Sequence, residues 1–126
     1  MIDGVIVKKL KIFKDIPDIS DSKSEPGFLM EVVRYNEGIL KKFGQSVFTV
    51  AYKGTIKAFH WHKKQDDVWF FATGKSKVVL HDARLDSPTH GQTQVIYAGK
   101  DDYKVILIPI GVIHGYQVLS DEPALL

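Results

Sequence analysis

Three histidines are placed where they could act on one substrate. His60 and His62 flank Trp61 in Lys57-Ala58-Phe59-His60-Trp61-His62-Lys63-Lys64, and His114 stands in Pro109-Ile110-Gly111-Val112-Ile113-His114-Gly115. On an extended strand, residues two apart share a face, so His60 and His62 are expected to point one way while Phe59 and Trp61 point the other. Imidazoles gathered in one pocket can do two kinds of chemistry. As free bases, with an unperturbed pKa of about 6.5, they move protons near neutral pH. As neutral ligands joined by a carboxylate they hold a divalent transition metal, and the ligand set would then be His60, His62, His114 and either Asp67 or Gln65.

The elements that must carry these side chains read as short β-runs separated by turns. Strands are expected over Val5–Phe13, Phe28–Tyr35, Gln45–Tyr52, Ala58–His62, Val68–Thr73, Lys77–Asp82, Gln92–Tyr97, Lys104–Ile108 and Gly115–Leu119, with a helical turn at Ile39–Phe43 and a polar loop over Pro17–Gly27. Many short strands without a sustained 3.6-residue period predict an all-β sandwich or small barrel rather than a βαβ fold. Phe48, Phe59, Trp61, Trp69 and Phe70 are assigned to the core on size and type. Asp82 and Arg84 form a structural pair at a strand end. Lys63 and Lys64 are read as solvated.

Composition narrows the function classes. The chain has 126 residues, no cysteine and a net charge of +2 from dispersed lysines, so one domain over residues 1–126 needs no disulfide. There is no arginine-rich stripe to follow a phosphate backbone, which argues against nucleic acid as a partner. No apolar run approaches the roughly 20 residues of a membrane span, and the N-terminus lacks a signal pattern, so a cytoplasmic protein without a membrane partner is expected.

Two motif-level resemblances sharpen the reading. Gly54-x5-His60-x-His62-x4-Asp67-x6-Gly74 and Pro109-x-Gly111-x2-His114 resemble the two signature motifs of the cupin superfamily, which implies an antiparallel jelly-roll β-barrel or sandwich with its chemistry inside. Asp82 with Arg84-Leu85-Asp86-Ser87-Pro88-Thr89-His90-Gly91, the segment Ile108–Ser120, Gly27-Phe28-Leu29-Met30-Glu31, Gln45 and Lys57-Ala58-Phe59-His60 together resemble the dTDP-4-dehydrorhamnose 3,5-epimerase family. The resemblance implies that His60 is the base and that His114 lines the sugar site. It further implies that Phe28, Glu31, Gln45 and Lys57 hold the nucleotide, Lys57 standing where the family has an arginine. His62 is the second catalytic candidate, because His-x-His-Lys-Lys also resembles the shorter keto-sugar isomerases of this fold; their upstream tyrosine has Tyr52 as its counterpart here.

The resemblance carries departures too. Asp67 stands where the family has a lysine, and Val78 where it has an aspartate. The family's orienting aspartate and acid tyrosine have no counterpart up to Leu126, so the chain is expected to be C-terminally short and slow in turnover. The implied protein is a cofactor-free homodimer that acts on a nucleotide-diphospho-sugar in the supply of deoxysugars for polysaccharide. Two alternatives stand beside it: a metal-dependent cupin using His60, His62, Asp67 and His114, and a non-catalytic nucleotide-sugar-binding cupin.

Overall fold

Lys104-Val105-Ile106-Leu107-Ile108 has no polar alternation, and the computed structural model, which describes Met1–Leu126, shows why. Ile106 and Ile108 face the main core, whereas Val105 and Leu107 face a second cluster with Leu10, Ile39 and Tyr103. A strand buried on both faces has no position for a polar side chain after its first residue. Lys75–Asp82 shows the opposite pattern: Ser76, Val78, Leu80 and Asp82 are buried in strict alternation, as on a strand with one inward face.

Eleven strands follow in chain order: β1 Ile6–Lys9, β2 Phe13–Lys14, β3 Phe28–Leu29, β4 Val50–Ala51, β5 Ile56–His60, β6 Asp67–Phe70, β7 Lys75–Asp82, β8 Thr93–Gly99, β9 Lys104–Ile108, β10 Val112–Val118 and β11 Ala124–Leu125. The two main sheets run β1-β9-β6 and β5-β10-β7-β8, and every pairing is antiparallel. Ile106 and Ile108 of one sheet meet Val78, Leu80, Ile96, Val112 and Val118 of the other in a shared core with Phe71 and Tyr116. This is the all-β, jelly-roll type of sandwich expected. No helix is long and apolar enough to cross a membrane.

Several local expectations are corrected. Val5–Phe13 is not continuous, because after β1 the buried Leu10 turns in to donate its N–H to the Tyr103 carbonyl. Only Phe28 and Leu29 of the Phe28–Tyr35 run are in a strand, and Ile39–Phe43 forms bends rather than a helical turn, with Ile39 pinned in the second cluster. Of Gln45–Tyr52, only β4 pairs, with β11. Strand propensity there has no neighbouring strand to satisfy it. Three of the five aromatics assigned to the core are exposed: Phe48, Phe59 and Trp61. Phe59 and Trp61 lie on or just past β5, an edge strand, while buried Phe71 fills the core instead.

Candidate active site

β5 and β10 position the histidines, and a bulge sets their facing. Lys57 pairs with Tyr116 but His60 pairs with His114, so a three-residue step on β5 lies opposite a two-residue step on β10. Directly opposed residues in an antiparallel ladder share a face, and an extra residue reverses the parity beyond it. Lys57 and His60 therefore share the face of Tyr116 and His114, although three apart in sequence. Gly115 permits this closeness. A Cβ there would lie 2.6 Å from the Ala58 Cβ and 3.0 Å from the Lys57 carbonyl oxygen, so any larger residue would force β5 off its neighbour.

His114 is 2% exposed. Its ring meets the edge of Trp69 at 5.2 Å and 87°, and Trp69 in turn meets Tyr116 at 5.5 Å. His114 Nδ1 lies 2.9 Å from the Val112 carbonyl. A carbonyl oxygen can only accept, so Nδ1 carries a proton and Nε2 is directed elsewhere. That second nitrogen lies 3.2 Å from Asp67 Oδ2. The same carboxylate oxygen is 3.4 Å from His62 Nε2, and the two imidazole centroids are 5.3 Å apart. The contact with His114 holds the Asp67 carboxyl below the usual carboxylate range against the opposing effect of burial, and Gln65 and His62 add to it.

The loop joining β5 to β6 is tied to the turn before β10. Gly111 donates its N–H to the His62 carbonyl at 2.9 Å, and Ile110 donates to Asp66 Oδ1 at 3.0 Å. Asp66 has no role in the sequence pattern, and Trp69 is expected there only in the core. The adjacency of Asp66 to Asp67 was the available signal, but it does not reveal which carboxylate turns toward the histidines.

The predicted residues thus divide. His62, Asp67 and His114 come together with their donor atoms within 4.8 Å of one another. The predicted four-ligand metal set is not assembled, because His60 stands outside that trio on the rim of β5. The nucleotide candidates do not form a cluster. Phe28 leans on Tyr103 at 5.8 Å, Glu31 pairs with Arg34 at 3.7 Å, Gln45 lies in exposed irregular chain and Lys57 projects from β5. No hydrogen bond or ion pair links these four to one another. Tyr52 is exposed just past β4, and Lys63 sits 5.3 Å over the Trp61 ring.

The expected strand-end pair is a larger knot. Asp82, 0% exposed, accepts from Arg84 Nε at 2.8 Å, from the Arg84 N–H at 3.1 Å and from the hydroxyls of Ser87 and Thr89 at 2.6 Å each. Arg84 continues to the Asp3 carbonyl at 2.6 Å. A Cβ on Gly111 would lie 2.8 Å from Arg84 Cγ, and Gly111 has φ near 86°. The Arg-x-x-Ser-Pro-Thr and Pro-x-Gly-x-x-His segments are thereby packed against each other, which gives their joint occurrence a physical reason.

Comparison with known proteins agrees with this architecture. The family model described as dTDP-4-dehydrorhamnose 3,5-epimerase matches residues 2–126. The spore coat polysaccharide biosynthesis protein SpsL of Bacillus subtilis is 50% identical over 123 residues, which cover 98% of this chain and 76% of that protein. The crystal structure of a dTDP sugar isomerase from Desulfovibrio desulfuricans superposes with a TM-score of 0.83 at 26% identity, covering 98% of this chain and 74% of that one. The Legionella pneumophila dTDP-6-deoxy-D-glucose-3,5-epimerase, solved in complex with dTDP-4-keto-L-rhamnose, gives a TM-score of 0.80 at 28% identity, covering 99% of this chain and 65% of that one. This chain belongs to the dTDP-4-dehydrorhamnose 3,5-epimerase family.

Proposed function

We propose that this protein acts as a dTDP-sugar 3,5-epimerase-like enzyme on a nucleotide-linked 4-keto-6-deoxyhexose, with His60 as the base. The observation that carries the reading is the β5 bulge, which places His60 and Lys57 on the same face as His114. Epimerisation beside a ketone removes a carbon-bound proton and returns one to the opposite face, so the site needs a base, an acid and stabilisation of the enolate oxygen. His60 stands at the open rim, where a sugar can reach it. His62 and His114 supply further polar groups, and the reading needs neither a cofactor nor a metal. A relative in spore coat polysaccharide biosynthesis supports a role in supplying an activated deoxysugar, in the cytoplasm, for surface polysaccharide.

Lys57 supplies charge for the diphosphate, and Phe28, Glu31 and Gln45 supply the nucleoside end. Thymidine diphosphate is expected to bind more tightly than thymidine, with an affinity that weakens as salt rises. Lys57→Ala should remove most of the diphosphate advantage, lowering affinity by about tenfold while leaving thymidine binding unchanged. Calorimetry checks this. Equal affinity of the wild type for nucleoside and nucleoside diphosphate would exclude Lys57 as a phosphate contact.

A homodimer completes the reading. Val47, Phe48, Tyr52, Phe59 and Trp61 are all exposed, Phe48 by 71%, and they fall within one stretch of chain that lacks strand partners at its start and ends on an edge strand. A second copy would cover such apolar surface and pair the open edges, β1 among them. Sedimentation should give twice the chain mass, and Phe48→Asp should shift the protein toward monomer. A wild-type monomer at tens of micromolar would rule the dimer out.

A further inference from the structure

Asp67 Oδ2 lies between two imidazoles, 3.4 Å from His62 Nε2 and 3.2 Å from His114 Nε2. The environments of the two rings differ. His114 is buried and its other nitrogen is taken by the Val112 carbonyl, so both of its nitrogens face protein acceptors. His62 is only partly buried, and its Nδ1 has no hydrogen-bond partner in the protein. A carboxylate beside one ring nitrogen selects the tautomer with the proton on that nitrogen, frees the other as a lone pair, and stabilises the ring when it gains a second proton. Gln65 donates to the other Asp67 oxygen at 3.2 Å, which limits rotation of the carboxylate.

We infer that Asp67 is a positioning residue that holds His62 with its Nε2 proton inward and Nδ1 toward the substrate, making His62 the second proton-transfer group and His114 part of the scaffold behind it. The inference rests on the epimerase reading and deepens it. In the reaction, His60 takes the proton from the carbon beside the ketone, and the C–H electron pair forms the enolate. His62, protonated at Nδ1, then gives that proton to the same carbon from the opposite side. The new C–H bond forms as the N–H bond breaks, the ketone is restored, and exchange with water returns His60 and His62 to their starting states. Asp67 carries charge through this cycle without itself gaining a proton. The group facing His62 on β6 is Asp67 and the one on β10 is His114, while His60 precedes it by two residues and Lys63 follows it in the chain.

The test uses the complete protein with ¹⁵N-labelled histidine, and its D67N, D67E and H62Q variants. Long-range nitrogen–proton spectra should show the wild-type His62 ring protonated at Nε2, and D67N should lose that preference. D67N should lower kcat by about 10- to 100-fold with KM within about twofold, and D67E should recover part of the loss. H62Q should raise the ratio of deuterium incorporated to epimer formed by about tenfold, because abstraction continues while proton return fails. A neutral wild-type His62 whose single ring proton sits on Nδ1 with none on Nε2, a D67N spectrum identical to wild type, or a transition metal retained stoichiometrically through dialysis would overturn the inference. If the wild type neither binds nor exchanges any keto-sugar, the epimerase reading falls, while the spectra still decide whether Asp67 sets the His62 tautomer.

Discussion

His60→Asn should abolish incorporation of solvent deuterium into the carbons flanking the ketone of a dTDP-4-keto-6-deoxyhexose. Asparagine occupies similar space and keeps a polar tip at the rim of β5, so nucleotide affinity should stay within about twofold while the base is gone. General-base assistance contributes about 10²–10⁴-fold, and a loss in that range is expected here. Exchange is a better readout than product formation, because it reports proton abstraction even where proton return is slow. Asp67 stands in place of the family's lysine beside this site, so complete turnover is expected to lag exchange. Equal exchange by wild type and His60→Asn would remove His60 as the base. No exchange by wild type across several keto-sugars would favour a nucleotide-sugar-binding protein without turnover.

The approach of His62 and Asp67 to His114 was legible because each lies in a spaced motif whose glycines and proline fix the local chain path, whereas His60 stays outside the trio. Alternation along a strand does not place Lys57 on the His60 face, because the bulge that does so depends on the register against Tyr116 and His114 and on the absence of a Cβ at Gly115. The double-sided burial of Val105–Ile108 could be read from an uninterrupted apolar run. Gln45–Phe48 could not be read correctly, because β-propensity describes a fit to a neighbour that this stretch lacks within the chain. The same misjudgement put Phe48, Phe59 and Trp61 in the core. Residue type alone does not distinguish an aromatic that fills a core from one that awaits another surface.

Asp82→Asn should cost about 3–5 kcal/mol of folding stability, the range for removing one partner of a buried ion pair. Asp82 accepts from both hydroxyls and three Arg84 donors. An asparagine amide would face one of these donor sets with its own N–H groups, leaving Arg84, its side chain only 21% exposed, without a carboxylate in hydrogen-bond contact. The effect should also reach the site, since Arg84 packs beneath Gly111 in the turn that bonds to the His62 carbonyl. The pH dependence has a definite sign. Hydrogen bonding by Arg84 is the largest cause holding the folded-state Asp82 carboxyl far below the usual carboxylate range, with Ser87 and Thr89 adding to it and burial opposing. An acid whose folded pKa is depressed contributes its full stability above its unfolded value of about 3.9 and loses it as pH falls toward the folded value. Wild-type stability should therefore decline below about pH 4, where Asp67 contributes a slope of the same sign, and Asp82→Asn should flatten that decline while lowering the plateau. Urea unfolding of both proteins from pH 7 down to pH 3 measures plateau and slope together. A variant within 1 kcal/mol of wild type at pH 7, or one with the same acid slope, would mean that the buried carboxylate does not hold the β7–β8 connection against the turn before His114.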